Sequence, residues 1–241
     1  SMSNIQSELE EKEMEAWQNL VRVLTHEIMN SVTPISSLAG VVEDEIGRKI
    51  SHEEDIKNEE LADMHLSMQT ISRPSEGLIR FVKEFRNLTH IPKPKLAEVA
   101  VKPLLEEMAM LHKKELADHG VAVVVSVEPE NLFVLADKTM IEQVLINLIK
   151  NAIQAFDDQP DKRIELTARS NEKGRAVISV KDNGFGIDAE AQEKIFIAFF
   201  STKKTGSGIG LSLSKQIMRQ HEGRITVISE LGKGTEFLLR F

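Results

Sequence analysis

The chain contains no cysteine, no tyrosine and a single tryptophan. Without thiols it can hold neither a disulfide nor a thiolate metal site, a usage that suits a reducing compartment. Long apolar runs are missing as well. None approaches the ~20 residues of a membrane-spanning helix, and no secretory leader is visible. A basic footprint is also lacking: 30 Lys and Arg against 38 Asp and Glu give a formal charge of −8, which excludes a surface built to neutralise nucleic-acid phosphates. What is present is globular, with 41% apolar and 28% charged residues in 241, enough for more than one domain. The opening Ser1-Met2 reads as an expression remnant ahead of a helical pattern. The expectation is therefore a cytoplasmic fragment of a longer receptor, with no membrane contact of its own; an inner-membrane anchor in the full-length protein is compatible with it.

The first third is helical in rhythm. Trp17, Val21, Leu24, Ile28, Ser31, Ile35, Leu38 and Val42 form a seam at heptad spacing, apolar except at Ser31. A polar connection from Gly47 to Asn58 leads to a second seam at Leu61, Met64, Met68, Ile71, Ser75, Leu78, Val82 and Phe85. Two antiparallel helices with such narrow seams cannot bury them alone, so a four-helix bundle shared by two chains is the economical solution. His26 falls off the first seam, on a stripe with Asn30 and Thr33. A lone outward histidine is ordinarily just solvated. Here Pro34 follows in the helix interior, where it removes a hydrogen bond at a cost of about 3 kcal/mol and predicts a bend; Pro74 predicts another in the second helix.

The rhythm changes after the prolines at 92 and 94. Strands are expected at Leu96–Val101, Val121–Val127, Leu132–Ala136, Arg163–Ala168, Ala176–Lys181, Arg224–Ser229 and Thr235–Arg240. Helices are expected at Pro103–His119, Thr139–Phe156 and Gly208–Gln220. That order suggests an α+β domain with one sheet layer against one helix layer.

Four separated pieces of this domain carry chemistry. Asn147 and Asn151, four apart on a helix, set two amides side by side; their carbonyls suit Mg²⁺, although such a pair is more often a plain surface feature. Asp182-Asn-Gly184-Phe-Gly186-Ile187 follows an apolar strand, and is by default a turn. A carboxylate held there can also accept the exocyclic amine of adenine while glycines let the backbone approach the ring. Phe196, Phe199 and Phe200 precede Ser201-Thr202-Lys203-Lys204, a polar stretch able to meet a triphosphate through a lysine. Gly206-Ser-Gly208-Ile209-Gly210-Leu211 opens a helix, where backbone N–H groups can face an anion, but no βαβ unit surrounds it, so it is not a dinucleotide fingerprint.

His26-Glu27-x-x-Asn30 followed by a proline resembles the phospho-acceptor motif of two-component sensor histidine kinases, except that Pro34 lies eight residues after the histidine instead of five. The four later pieces, with Gly232-Lys-Gly234-Thr235, resemble in order the nucleotide boxes of the ATPase domain shared by histidine kinases, gyrase B, MutL and the heat-shock chaperones. Ala198 stands where proline is frequent, and the segment between Ile187 and Gly206 is short. The resemblance implies a helical hairpin at 1–91 that pairs into a dimeric four-helix bundle, a linker at 92–95, and an α+β two-layer sandwich at 96–241. It implies that ATP and Mg²⁺ bind the second domain, that His26 takes the γ-phosphoryl group with Glu27 accepting its proton, and that a response-regulator receiver domain accepts it in turn. Asn30 would position water for phosphatase action on the regulator. The nucleotide contacts it implies are Asn147, Asn151, Asp182, Gly184, Gly186, Ile187, Thr202, Lys203, Gly206, Gly208, Ile209, Gly210, Leu211 and Thr235, with Asn147 and Asn151 on the metal. Hydrolysing members carry a glutamate where Asn147 stands, and an amide cannot take a proton from water, so transfer is expected over hydrolysis. The alternative is a nucleotide-binding dimeric scaffold without significant turnover.

Overall fold

The structure, a computed structural model, describes residues 25, 28–49, 57–89, 91–171, 174–203 and 208–241. His26, Glu27, Lys204 and Gly206, with the seam residues Trp17, Val21 and Leu24, lie outside the described residues. The chain divides into two compact units, Ser1–Arg86 and Asn87–Phe241. Among the described residues no helix is long and apolar enough to cross a membrane.

In the first unit, helix α1 covers residues 28–49 and helix α2 spans Asn58–Thr89. Along α1 the half-buried side includes Ser31, Ile35, Leu38 and Val42, positions that the heptad reading selects. Helix α1 continues through Gly47, where a polar connection is expected, and near its end Lys49 is buried in an ion pair of 2.9 Å with Glu60 in the first turn of α2. On α2, Met64 is buried and Ile71, Ser75 and Leu78 are half-buried, whereas Leu61, Met68 and Val82 stay 52%, 54% and 49% exposed. Both helices run unbroken through Pro34 and Pro74. Beside Pro74 the hydroxyls of Thr70 and Ser75 donate to the carbonyls of Leu66 and Ile71 at 2.8 and 2.9 Å.

The second unit has a five-stranded mixed sheet in the order β2-β4-β5-β7-β6 and a small antiparallel pair, β1 (Ala97–Ala100) with β3 (Phe133–Ala136). In the large sheet β2 (Val121–Glu128) runs parallel to β4 (Lys162–Ser170), and every other pairing is antiparallel: β4 with β5 (Ala176–Asp182), β5 with β7 (Gly234–Arg240), and β7 with β6 (Arg224–Glu230). Alternation explains the layering. Ile164, Leu166 and Ala168 of β4 are buried, Glu165 and Thr167 between them are half-buried, and Arg163 and Arg169 on either side face solvent. Helices α3 (Val101–Leu111) and α4 (Lys113–Asp118) pack on β2, α5 (Lys138–Ile153) on β4 and β5, α6 (Ala189–Lys194) on β6, and α7 (Gly210–Gln220) on β6 and α5. Leu104, Leu145, Leu148, Ile164, Leu166 and Ile178 fill the core between the layers.

Three helices depart from expectation. The single helix expected at Pro103–His119 is two, broken at His112, whose backbone leaves helical geometry while its ring Nδ1 donates to the Met108 carbonyl at 2.9 Å. The helix expected from Gly208 begins at Gly210, because Gly208 takes a φ of +66° that no helix residue adopts. Helix α6, short and capped by Asp188 through a bond of 2.8 Å from the Ala191 N–H, was not expected at all.

Candidate nucleotide site

Asp182 ends β5, a strand buried along almost its whole length, and is itself 4% exposed. Its Oδ1 accepts two backbone N–H bonds, from Gly184 at 2.9 Å and from Thr235 at 3.3 Å on the paired strand β7. Neither of these bonds uses Oδ2. Burial pushes the carboxyl above its ordinary value, opposed by those two N–H bonds and by the charge of Lys203.

The turn after Asp182 needs its glycines for space. A Cβ on Gly184 would run into the Ala155 backbone, and one on Gly186, at a φ of +75°, into the Glu230 carbonyl. The Asn183 side chain locks the turn, accepting from the Arg163 N–H at 2.7 Å and donating to the Asp161 carbonyl at 2.6 Å. Ser229 holds the far side. Its hydroxyl donates to the Gly234 carbonyl at 2.9 Å and accepts from the Ile187 N–H at 2.8 Å, so the 2.9 Å bond between Ser229 and Thr235 must use the proton of the threonine. Gln192 of α6 adds donations to the carbonyls of Ile187 and Ser229 at 2.8 and 3.0 Å.

On α5 the two asparagines have parted company. The Asn147 amide donates to the Ser214 hydroxyl at 3.1 Å and packs its Oδ1 against Gly210, so it joins α5 to the start of α7. Ser214 in turn donates to the Gly210 carbonyl at 2.9 Å. Asn151 instead offers its Oδ1 to the Lys203 ammonium at 3.4 Å, beside Gln154 Oε1 at 2.9 Å. Burial draws Lys203 below the usual lysine value, with the carboxylate of Asp182 acting the other way. Asn151 therefore fits a hard cation through a carbonyl oxygen that already faces one.

The aromatic stretch and the glycine-rich opening of α7 meet at Phe199 and Gly208. Phe199 has a φ of +67°, rare for a side chain of that bulk, and its N–H donates to the Gly208 carbonyl at 2.9 Å. Phe196 is structural, edge-on to Phe237 with ring centroids 6.4 Å apart. Ile209 is buried, Leu211 half-buried and Thr202 exposed.

Gly184 and Thr235 thus meet at the Asp182 carboxylate, Ile187 is tied to Thr235 through Ser229, Gly186 lies against the Glu230 backbone, and Asn151 and Lys203 meet round one ammonium. Gly206 lies outside the described residues. Ser229, Gln192 and Gln154 escape a reading of motifs, and of these only Gln154 carries a signal, being three residues after Asn151 on the same helix face; Asn183 lies within the quoted turn, but its part in locking that turn has no mark in the sequence.

Residues 136–241 match the family described as histidine kinase-, DNA gyrase B- and HSP90-like ATPase. The sensor histidine kinase ZraS of Escherichia coli strain K12 is 30% identical over 98% of this chain, which spans 48% of ZraS. The histidine-protein kinase AtoS of the same strain is 29% identical over 91% of this chain, which covers 34% of AtoS. Among solved structures, the catalytic domain of histidine kinase ThkA is 31% identical at a TM-score of 0.55, with 61% of this chain covering 95% of that one. ThkA in complex with its response regulator TrrA aligns over 96% of this chain and 65% of that one, at 25% identity and a TM-score of 0.61. The chain spans about a quarter to a half of the curated proteins it matches. It belongs to the sensor histidine kinases, of which it carries the ATPase-type catalytic domain and a helical segment before it.

Proposed function

We propose that the chain binds ATP in the second unit and transfers the γ-phosphoryl group to His26, from which a response-regulator receiver domain takes it. The observation that carries the reading is the division of labour on Asp182. One oxygen is held by two backbone N–H groups and the other is left to accept from an amine, such as the one adenine carries at C6, where guanine carries a carbonyl. Thr235, fixed by Ser229, stands on the same side, and Gly184, Gly186 and Ile187 border it.

Lys203 would meet the terminal phosphates, with Thr202, Gly206, Gly208, Ile209, Gly210 and Leu211 lining the phosphate end. Asn151, with Asn147 as its neighbour, would hold Mg²⁺, which when bound supplies charge neutralisation to the phosphates. The residues of the chain do the rest: they orient the nucleotide and, by offering an amide at Asn147, give water no general base.

In this proposal residues 1–91 form the phosphotransfer hairpin, 92–95 the linker and 96–241 the catalytic domain. A homodimer is supported by the apolar surface that one chain leaves uncovered on α1 and α2: Ile28, Met29 and Val32, with Leu61, Met68 and Val82. Glu27 would accept the proton of His26, and Asn30, exposed on α1, would position water for dephosphorylating the regulator. The receiver partner is supported by the ThkA complex with its regulator. Chased with a receiver domain, labelled protein should lose its label to an aspartate of that domain. Label that stays on the kinase, with no transfer to any receiver tested, would overturn the phosphorelay reading, and regulator dephosphorylation unchanged by Asn30→Ala would remove the phosphatase role.

A further inference from the structure

A lysine on a surface turn ordinarily points its ammonium into water, because leaving it is costly and the stem is long and free. Lys203 does the reverse. The Ser201 hydroxyl accepts from the Lys203 N–H at 3.1 Å and donates to its carbonyl at 3.2 Å, which pins the backbone, and the side chain reaches across to α5. There Nζ lies 2.9 Å from Gln154 Oε1 and 3.4 Å from Asn151 Oδ1. Two neutral carbonyl oxygens converge on one positive charge, with Asp182 near enough to act on it electrostatically. This is oxygen chemistry that a divalent metal also seeks.

An ammonium and a metal ion cannot share Asn151 Oδ1, since like charges a few ångströms apart repel strongly away from bulk water. A triphosphate removes the conflict, because its oxygens bind an ammonium with charge assistance that neutral amides do not offer. Resting on the nucleotide reading above, we propose that Lys203 is a resident cation that occupies Asn151 and Gln154 while the site holds no nucleotide, and passes to the phosphates when the nucleotide arrives, freeing Asn151 for the metal. Metal then enters with the nucleotide and not before it. Gln154 thereby acquires a role, as the anchor that holds the ammonium back.

The full chain is titrated with Mn²⁺ alone, free ion being read by electron paramagnetic resonance. A non-hydrolysable ATP analogue is then titrated with and without Mn²⁺ by calorimetry. Wild type and Lys203→Arg, which keeps the charge, are expected to bind Mn²⁺ alone weakly. Lys203→Met and Lys203→Gln, which remove it, are expected to bind it about tenfold more tightly or better. The same two variants should bind the analogue more weakly without metal than wild type does. Mn²⁺ isotherms that are the same for wild type, Met and Gln variants, in protein that binds the analogue, would overturn the exchange and leave the nucleotide site standing. No analogue binding by wild type would overturn the nucleotide reading itself and the exchange with it.

Discussion

Replacing Asp182 by asparagine separates the fold from the recognition. Both backbone bonds, from Gly184 and Thr235, fall on Oδ1, and an asparagine keeps that carbonyl oxygen. What changes is the outward position, where an acceptor becomes an N–H₂ donor aimed at the amine of adenine. A hydrogen bond to a charged group is worth about 1.5–3 kcal/mol, so ATP affinity should fall about ten- to a hundredfold by calorimetry. Guanine carries an acceptor where adenine carries its amine, so the preference for ATP over GTP should narrow. Stability should move the other way. Burial raises the Asp182 carboxyl, and a group raised in the fold supports it fully only while protonated in both states, support that is lost as pH climbs through the raised value. Asparagine has no charge to bury, so urea midpoints of the variant should gain on wild type from acid to neutral pH. Unchanged ATP affinity in a folded variant would refute the assignment of adenine to Asp182. A variant that loses ground to wild type as pH rises would refute the electrostatic account.

Asp137 should behave oppositely. It caps α5 through the Met140 N–H and also accepts from the Lys95 N–H, the contact that does most to hold its carboxyl below the ordinary value. Asp137→Ala should cost about 1 kcal/mol in urea unfolding at neutral pH, a penalty that fades as pH falls through the depressed value. Gly234→Ala would drive a Cβ, at a φ of +103°, into the Asp182 carbonyl, and should cost about 1–3 kcal/mol while weakening ATP-analogue binding. Leu148→Ala, at a fully buried position of α5, should cost about 2–5 kcal/mol by denaturant midpoint with the analogue site intact in the fraction that folds.

Period was the most legible feature of the sequence. The 2-residue alternation of β4 and the 3.6-residue repeat of α5 each follow from local chain geometry, and their bounds lie within a few residues of expectation. The break at His112 was hidden because it depends on a ring bonding back to Met108, inside a stretch whose apolar spacing continues on both sides. The parallel pairing of β2 with β4 spans the whole of β3 and α5 and leaves no local mark. At the site, Asp182 and its glycines could be named because strand end, carboxylate and glycine sit together in sequence. Ser229 could not, since it acts through Ile187, Gly234 and Thr235 from another strand. Spacing alone presents Asn147 and Asn151 as a pair; the approach of Gly210 to one and of Lys203 to the other, fixed by distant segments, sets them to different contacts.

The central claim is that a nucleotide held through Asp182 gives its terminal phosphoryl group to one imidazole. It is tested most directly by incubating the protein with Mg²⁺ and ATP labelled either at the γ- or at the α-phosphorus, beside Asp182→Asn and His26→Gln. The account predicts protein-bound label from the γ-position only, removed by acid and spared by alkali, reduced in the first variant and absent in the second. Label that survives in His26→Gln, or that arises from the α-position, would contradict it.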